Sequence, residues 1–167
     1  MMATVMYAGG RHAEALHAVL DAQSKAGVSQ ANPAGRAGWP LAVESALRVP
    51  DLQAAEDLLA PFLARRPGRT PPLLAGLRLR FKARLAAARG EPADVERDFN
   101  AAVAIFRDAE MPFHQAVTQL ELAEWLSSHG KVTSSASPLQ EARAICEKLK
   151  ALPWLERVAL AAAAAPA

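Results

Sequence analysis

The sequence predicts an all-α fold, a right-handed stack of antiparallel helix hairpins, and three observations predict it. Apolar residues make up 51% of the 167 positions but aromatic ones only 5%, with alanine the commonest residue, which favours helix over sheet. Twelve prolines break the chain into short stretches with sharp ends. Gly10, Pro50, Gly90 and Gly130 recur at intervals of about 40 residues, room for two helices and two turns. Local text repeats in the same phase. Ala104-Ile105-Phe106-Arg107 returns as Ala144-Ile145-Cys146-Glu147, and Met111-Pro112-Phe113 returns one residue late as Leu152-Pro153-Trp154. One hairpin cannot bury its own apolar face, so successive hairpins are expected to lean on one another.

The N-terminal part, 1–66, reads as divergent hairpins. Ala13, Leu16, Val19 and Leu20 give helical spacing over Arg11 to Ala26. Gly27 to Pro40 is polar and glycine-rich and is expected to be a connection; Trp39, Trp125 and Trp154 read as core or inter-repeat packing, with Trp39, placed in that loop, the one of the three most open to partial exposure. A short helix over Leu41 to Val49 follows. Asp51 then caps a helix carrying Leu52, Ala55, Leu58, Leu59 and Phe62. Pro67-Gly68 and Pro71-Pro72 mark 67–72 as a linker and hinge.

Positions 73–160 hold the clearest repeats. From Pro72 to Arg89, Leu74, Leu77, Phe81, Leu85 and Ala88 form one apolar stripe. Arg78, Lys82 and Arg89 flank it on one side and Arg80 and Arg84 on the other, with stems expected over the core edge and heads in water. Gly90 offers a C-cap, Pro92 a helix start, and Val95, Phe99, Ala102, Val103 and Phe106 the next stripe. Phe113 to Ser128 is apolar on two nearly opposite sides, as an inner helix between two neighbours must be, with Glu121 and Glu124 on the remaining strip. Val132 to Ser137 is rich in Ser and Thr and reads as a loop or frayed start, Pro138 as a first-turn residue. Leu139, Ala142, Ile145, Cys146 and Leu149 then form a stripe, and a last helix runs from Pro153. The alanine-rich tail 161–167 carries no functional signal.

The charges do not imply a polyanion partner, since 19 Lys and Arg against 17 Asp and Glu leave only +2 at pH 7, and fit a protein partner at least as well. A single cysteine forbids an internal disulfide and a multi-cysteine zinc site. Cys146 lies on an apolar stripe and reads as buried packing, not a nucleophile. No metal-ligand motif, phosphate-cradling glycine loop or activated nucleophile is found, so no enzyme, cofactor or metal is expected. His12 and His17 point apart on a helix, and His129 suits a helix C-terminus. His114 and Glu121 share a face two turns apart, where they line a groove. Arg78 to Arg89 raises the nucleic-acid question, but no exposed aromatic is interleaved with it. No signal peptide or membrane-length apolar run is read, and cytoplasmic location is the expectation.

The Ala102-x-x-x-Phe106 spacing, the closing prolines Pro112 and Pro153, and the run Leu120-Glu121-Leu122-Ala123-Glu124-Trp125-Leu126 resemble tetratricopeptide-like repeats over about Pro72 to Val158. More narrowly, they resemble the divergent C-terminal repeats of large bacterial signalling proteins with a nucleotide cyclase or signal-transduction NTPase upstream. That resemblance implies a helical scaffold that binds protein or regulates an attached catalytic domain, in a signalling or transcription-regulator assembly. The partner is then expected against the inner helices, where Glu121, Glu124, His114, Arg78 and Lys82 supply polar contacts around apolar ones. A small-molecule-sensing or nucleic-acid-associated regulatory domain is the alternative.

Overall fold

A computed structural model describes residues 2–25, 33–49, 51–64 and 70–164. The fold is all-α: among the described residues there is no strand, and no helix is long and apolar enough to cross a membrane. The chain divides into two compact units, Met1–Pro67 and Gly68–Ala167. Positions 67–69 of the expected linker and 165–167 of the tail lie outside the described residues.

In the first unit, α1 (Met2–Ala8), α2 (His12–Lys25), α3 (Pro33–Arg48) and α4 (Leu52–Leu63) each pack on the next, and α1 also touches α3. Asp51 caps α4 as its sequence suggests, its Oδ1 accepting from the Ala54 N–H at 3.0 Å. Two expectations fail here. Residues 33–40 are helical, so α3 begins eight residues before Leu41 and runs through Pro40; 27–32 lie outside the described residues. Trp39 is not an exposed loop residue but 2% exposed in the core. Its ring stacks on Phe62 at 4.0 Å and its Nε1–H donates to the Leu58 carbonyl at 2.8 Å. Burying this large ring outweighs the helix hydrogen bond that Pro40 removes.

The second unit holds α5 (Pro72–Arg89), a 3₁₀ turn (Pro92–Asp94), α6 (Val95–Asp108), α7 (Pro112–Ser128), α8 (Val132–Leu149) and α9 (Leu152–Ala164). Each helix packs on the next, and α7 also packs on α9. One core cluster joins Ala83 of α5, Val95 and Phe99 of α6, and Leu122, Trp125 and Leu126 of α7. Another joins Leu120, Ala142 and Val158 across α7, α8 and α9. Against expectation, α8 starts at Val132 and contains Pro138. Packing on α7 holds the Ser-rich stretch helical, with Ser135 buried and its hydroxyl donating to the Val132 carbonyl at 2.8 Å.

A common turn ends most of these helices. Gly10, Gly90, Glu110, Gly130 and Lys150 all have φ between 53° and 76°, the left-handed region. The next N–H then reaches back over the turn: Glu91 to Ala86, Met111 to Phe106, Lys131 to Leu126 and Ala151 to Cys146, at 2.8–2.9 Å. Arg11 reaches Met6 and Asp51 reaches Ala46 in the same way, both at 2.9 Å. The accepting carbonyls at 86, 106, 126 and 146 fall every twentieth residue, and 6 and 46 keep the same beat. Each turn is followed within two residues by a new helical start, at 12, 52, 92, 112, 132 and 152. The 40-residue spacing in the sequence is therefore twice the structural unit, which is one helix and one turn.

Candidate functional site

The five polar residues expected to meet a partner sit on two helices, Arg78 and Lys82 on α5 and His114, Glu121 and Glu124 on α7. The structure does not gather them into one cluster. Arg78 and Lys82 are four residues apart and share a side of α5. Arg78 is half-buried there, and Lys82 turns to α6, its Nζ 2.6 Å from the buried carboxylate of Asp98.

Glu121 meets the other side of α5. Its two carboxylate oxygens accept from Arg80, Nε at 2.6 Å and NH2 at 2.7 Å, and Arg84 lies 3.5 Å away. Arg80 and Glu121 are each 6% exposed, so neither head reaches water and Glu121 does not face outward to a partner. This corrects the snorkelling expected of Arg80: a guanidinium enters a core only where a carboxylate satisfies its fork of donors. Burial by itself pushes the Glu121 carboxyl up, but Arg80, Arg84 and Arg157 overcome it and hold it at about 2.

Glu124, one turn along α7, points instead to α9, where Arg157 donates to both its oxygens. Arg157 also lies over the Trp154 ring, 5.4 Å from its centroid. His114 stacks on Phe106 at 5.3 Å and is half-buried. Burial first, and the Arg80 charge second, lower its pKa and favour the neutral imidazole. Alternate helices α5, α7 and α9 are thus tied through α7 by ionic contacts. Sequence reasoning grouped Glu121 with Arg78 and Lys82, and missed its actual partners Arg80 and Arg84 and the role of Arg157.

A recess lies on the other side of α7. It has a volume of about 220 Å³, with Val103, Leu122 and Leu126 among its lining. Two ion pairs cross from α6 toward α8, Glu96–Lys131 at 2.7 Å and Arg107–Glu141 at 3.0 Å. Both run in the same order along the chain, so α6 and α8 are parallel. Gln119 lines the recess from α7, 2% exposed, with its Nε2 donating to the Glu141 carboxylate and its Oε1 without a partner.

Cys146 is buried, and burial pushes its thiol up, away from the thiolate a nucleophile needs. Among the described residues, no three His, Cys, Asp or Glu side chains are placed to hold a metal ion. No family model matches the chain, and no curated protein matches it. The chain combines helices of one design in sequence, paired polar contacts between alternate helices of the second unit, and a small recess lined by apolar and polar side chains.

Proposed function

We propose that this chain is a non-catalytic helical-repeat scaffold, a tetratricopeptide-like right-handed stack of helix hairpins that holds a protein partner or regulates an attached catalytic domain. It works in the cytoplasm, within a signalling or transcription-regulator assembly, and needs no cofactor. The observation that carries this reading is the twenty-residue beat of helix and left-handed turn, accompanied by side-chain ties between alternate helices. Repetition of one unit makes long faces of equivalent positions, the surface on which repeat proteins engage partners. The inward turn of Arg80 also takes the middle of the basic run away from any phosphate backbone.

Crosslinking in native cells, followed by reconstitution with the purified partner, tests the proposal. Saturable binding that weakens when Glu124 and Arg157 are exchanged in charge supports it. Turnover of a small substrate by the chain alone, or nucleic-acid binding that falls steeply with salt, overturns it.

A further inference from the structure

Resting on the scaffold reading, we propose that the outward face of α9 docks one helix of the protein partner, which sets a small residue on Leu160 and a lysine or arginine on Glu156. The repeat locates this face. The turn carbonyls of Phe106 and Cys146 put α9 forty residues after α7, so position 152 matches 112 and position 160 matches 120. The inward sides agree in this phase. Trp154 and Ala161, packed on the Leu120 cluster, match His114 and Glu121, which reach back to Phe106 of α6 and Arg80 of α5.

The outward sides differ in cover. On α7, Ala116, Gln119, Leu120 and Ala123 are all buried, with Ala142 of α8 in one cluster with Leu120 and Glu141 of α8 accepting from Gln119. Their counterparts on α9, Glu156, Ala159, Leu160 and Ala163, are all exposed, as is Leu152 one turn before Glu156. Leu160 is 71% exposed where Leu120 is 0%. The face of α9 thus continues, one hairpin further along, the contact that α8 makes with α7. A lone exposed leucine is ordinary, but positions 152, 159, 160 and 163 form an apolar strip with the spacing along which a helix lies.

Glu156 selects the charge of the occupant. It stands in the middle of the strip, where α7 has Ala116, and it forms no ion pair with a described residue. A single turn separates α7 from α8, so the two run antiparallel. A helix set on α9 in the same way places over Glu156 the residue four after the one over Leu160, which gives the pattern small-x-x-x-Lys/Arg. The uncharged version of that pattern is present in α8 itself, as Ala142 and then Cys146, both buried. A second copy does not fit. Pairing two α9 helices antiparallel, with Leu152 on Leu160 of the other copy, brings the two Glu156 carboxylates together at the midpoint.

The test uses the full chain, labelled for NMR, and a capped helical peptide of about 18 residues. The peptide carries leucine and alanine along one stripe and one lysine four residues after a central alanine; a twin has glutamate in place of that lysine. Saturable shifts confined to α9 and the adjoining end of α8 are expected with the lysine peptide, at a Kd of about 0.1–1 mM, and about tenfold weaker binding with its twin. Leu160→Gln, at an exposed position, weakens the lysine peptide about tenfold, and Glu156→Lys reverses the preference between the two peptides, with helix content checked by circular dichroism. Indifference to Leu160→Gln, a preference that Glu156→Lys leaves unchanged, or shifts elsewhere overturns the proposal. Sedimentation in which the chain dimerises and Leu160→Gln abolishes the dimer assigns the face to a second copy and overturns it too. If a reconstituted partner binds while the Leu152, Glu156 and Leu160 resonances stay still, this inference fails and the scaffold reading stands. If the face takes the peptide but the chain joins no assembly, the scaffold reading fails instead.

Discussion

Arg80 of α5 and Glu121 of α7 join two helices through a two-point ion pair in the core of the second unit, at 2.6 and 2.7 Å. A pair this deep contributes modestly over an apolar equivalent, because both ions leave water. Breaking it is another matter. Glu121→Gln leaves the Arg80 guanidinium buried without its counter-charge, and is expected to cost about 3–5 kcal/mol in urea unfolding. Replacing both, Arg80→Met with Glu121→Leu, is expected to recover most of that loss, a non-additivity that a double-mutant cycle measures directly.

The same pair sets an acid dependence. Glu121 is held at about 2 in the fold against an ordinary 4.5, so the unfolded chain binds its proton first as pH falls. Its stabilisation is complete above pH 4.5 and is lost as pH drops toward 2. His114 adds to the slope from higher pH. Its lowered pKa means that the unfolded chain takes up a proton below 6.5 while the fold resists it, so stability declines on acidification through that value. Unfolding free energy measured from pH 7 to 3 is expected to fall throughout, with His114→Gln flattening the upper part and Glu121→Gln the lower.

Gly76 of α5 leaves the space that the Phe106 ring of α6 occupies. A Cβ built there would stand 2.4 Å from Cε1 of Phe106, a ring that is itself fully buried. Gly76→Ala is therefore expected to destabilise by about 1–3 kcal/mol although alanine is the better helix former. Adding Phe106→Leu, which opens space at that point, is expected to make the alanine tolerable, as thermal melts of the single and double variants will show.

Two of the five left-handed turn residues carry side chains, Glu110 at φ 53° and Lys150 at φ 54°. Each pays the steric cost that glycine avoids at positions 10, 90 and 130. Glu110→Gly and Lys150→Gly are expected to stabilise by about 1 kcal/mol each, and Gly90→Ala to destabilise by a similar amount. Chemical denaturation midpoints check all three.

The helices α5, α6 and α7 were legible because their stripes repeat every three or four residues and glycine or proline bounds them. Pro40 and Pro138 misled, since a proline argues for a helix start or stop, whereas the burial of Trp39 and the packing of α8 on α7 keep both inside helices. The twenty-residue beat was visible only at double its length because Glu110 and Lys150 hide it: they adopt the glycine conformation without being glycine. Within the candidate site, the wheel of α5 did separate Arg80 and Arg84 from Arg78 and Lys82. It could not say which side meets α7, because that depends on how hairpins distant in sequence come together. The recess was hidden for the same reason, as Gln119, Arg107 and Glu141 come from three helices and carry no shared motif.

The left-handed turns also govern what lengths of chain can be removed. Every turn reverses the direction of travel, and α6 and α8 run alike only because two reversals separate them. Excising a single twenty-residue unit such as 112–131 would make everything after it run backwards relative to what comes before, and would oppose side chains that never met. Excising forty restores the heading. The architecture thus has a parity, and viable shortening or lengthening proceeds by even numbers of helices.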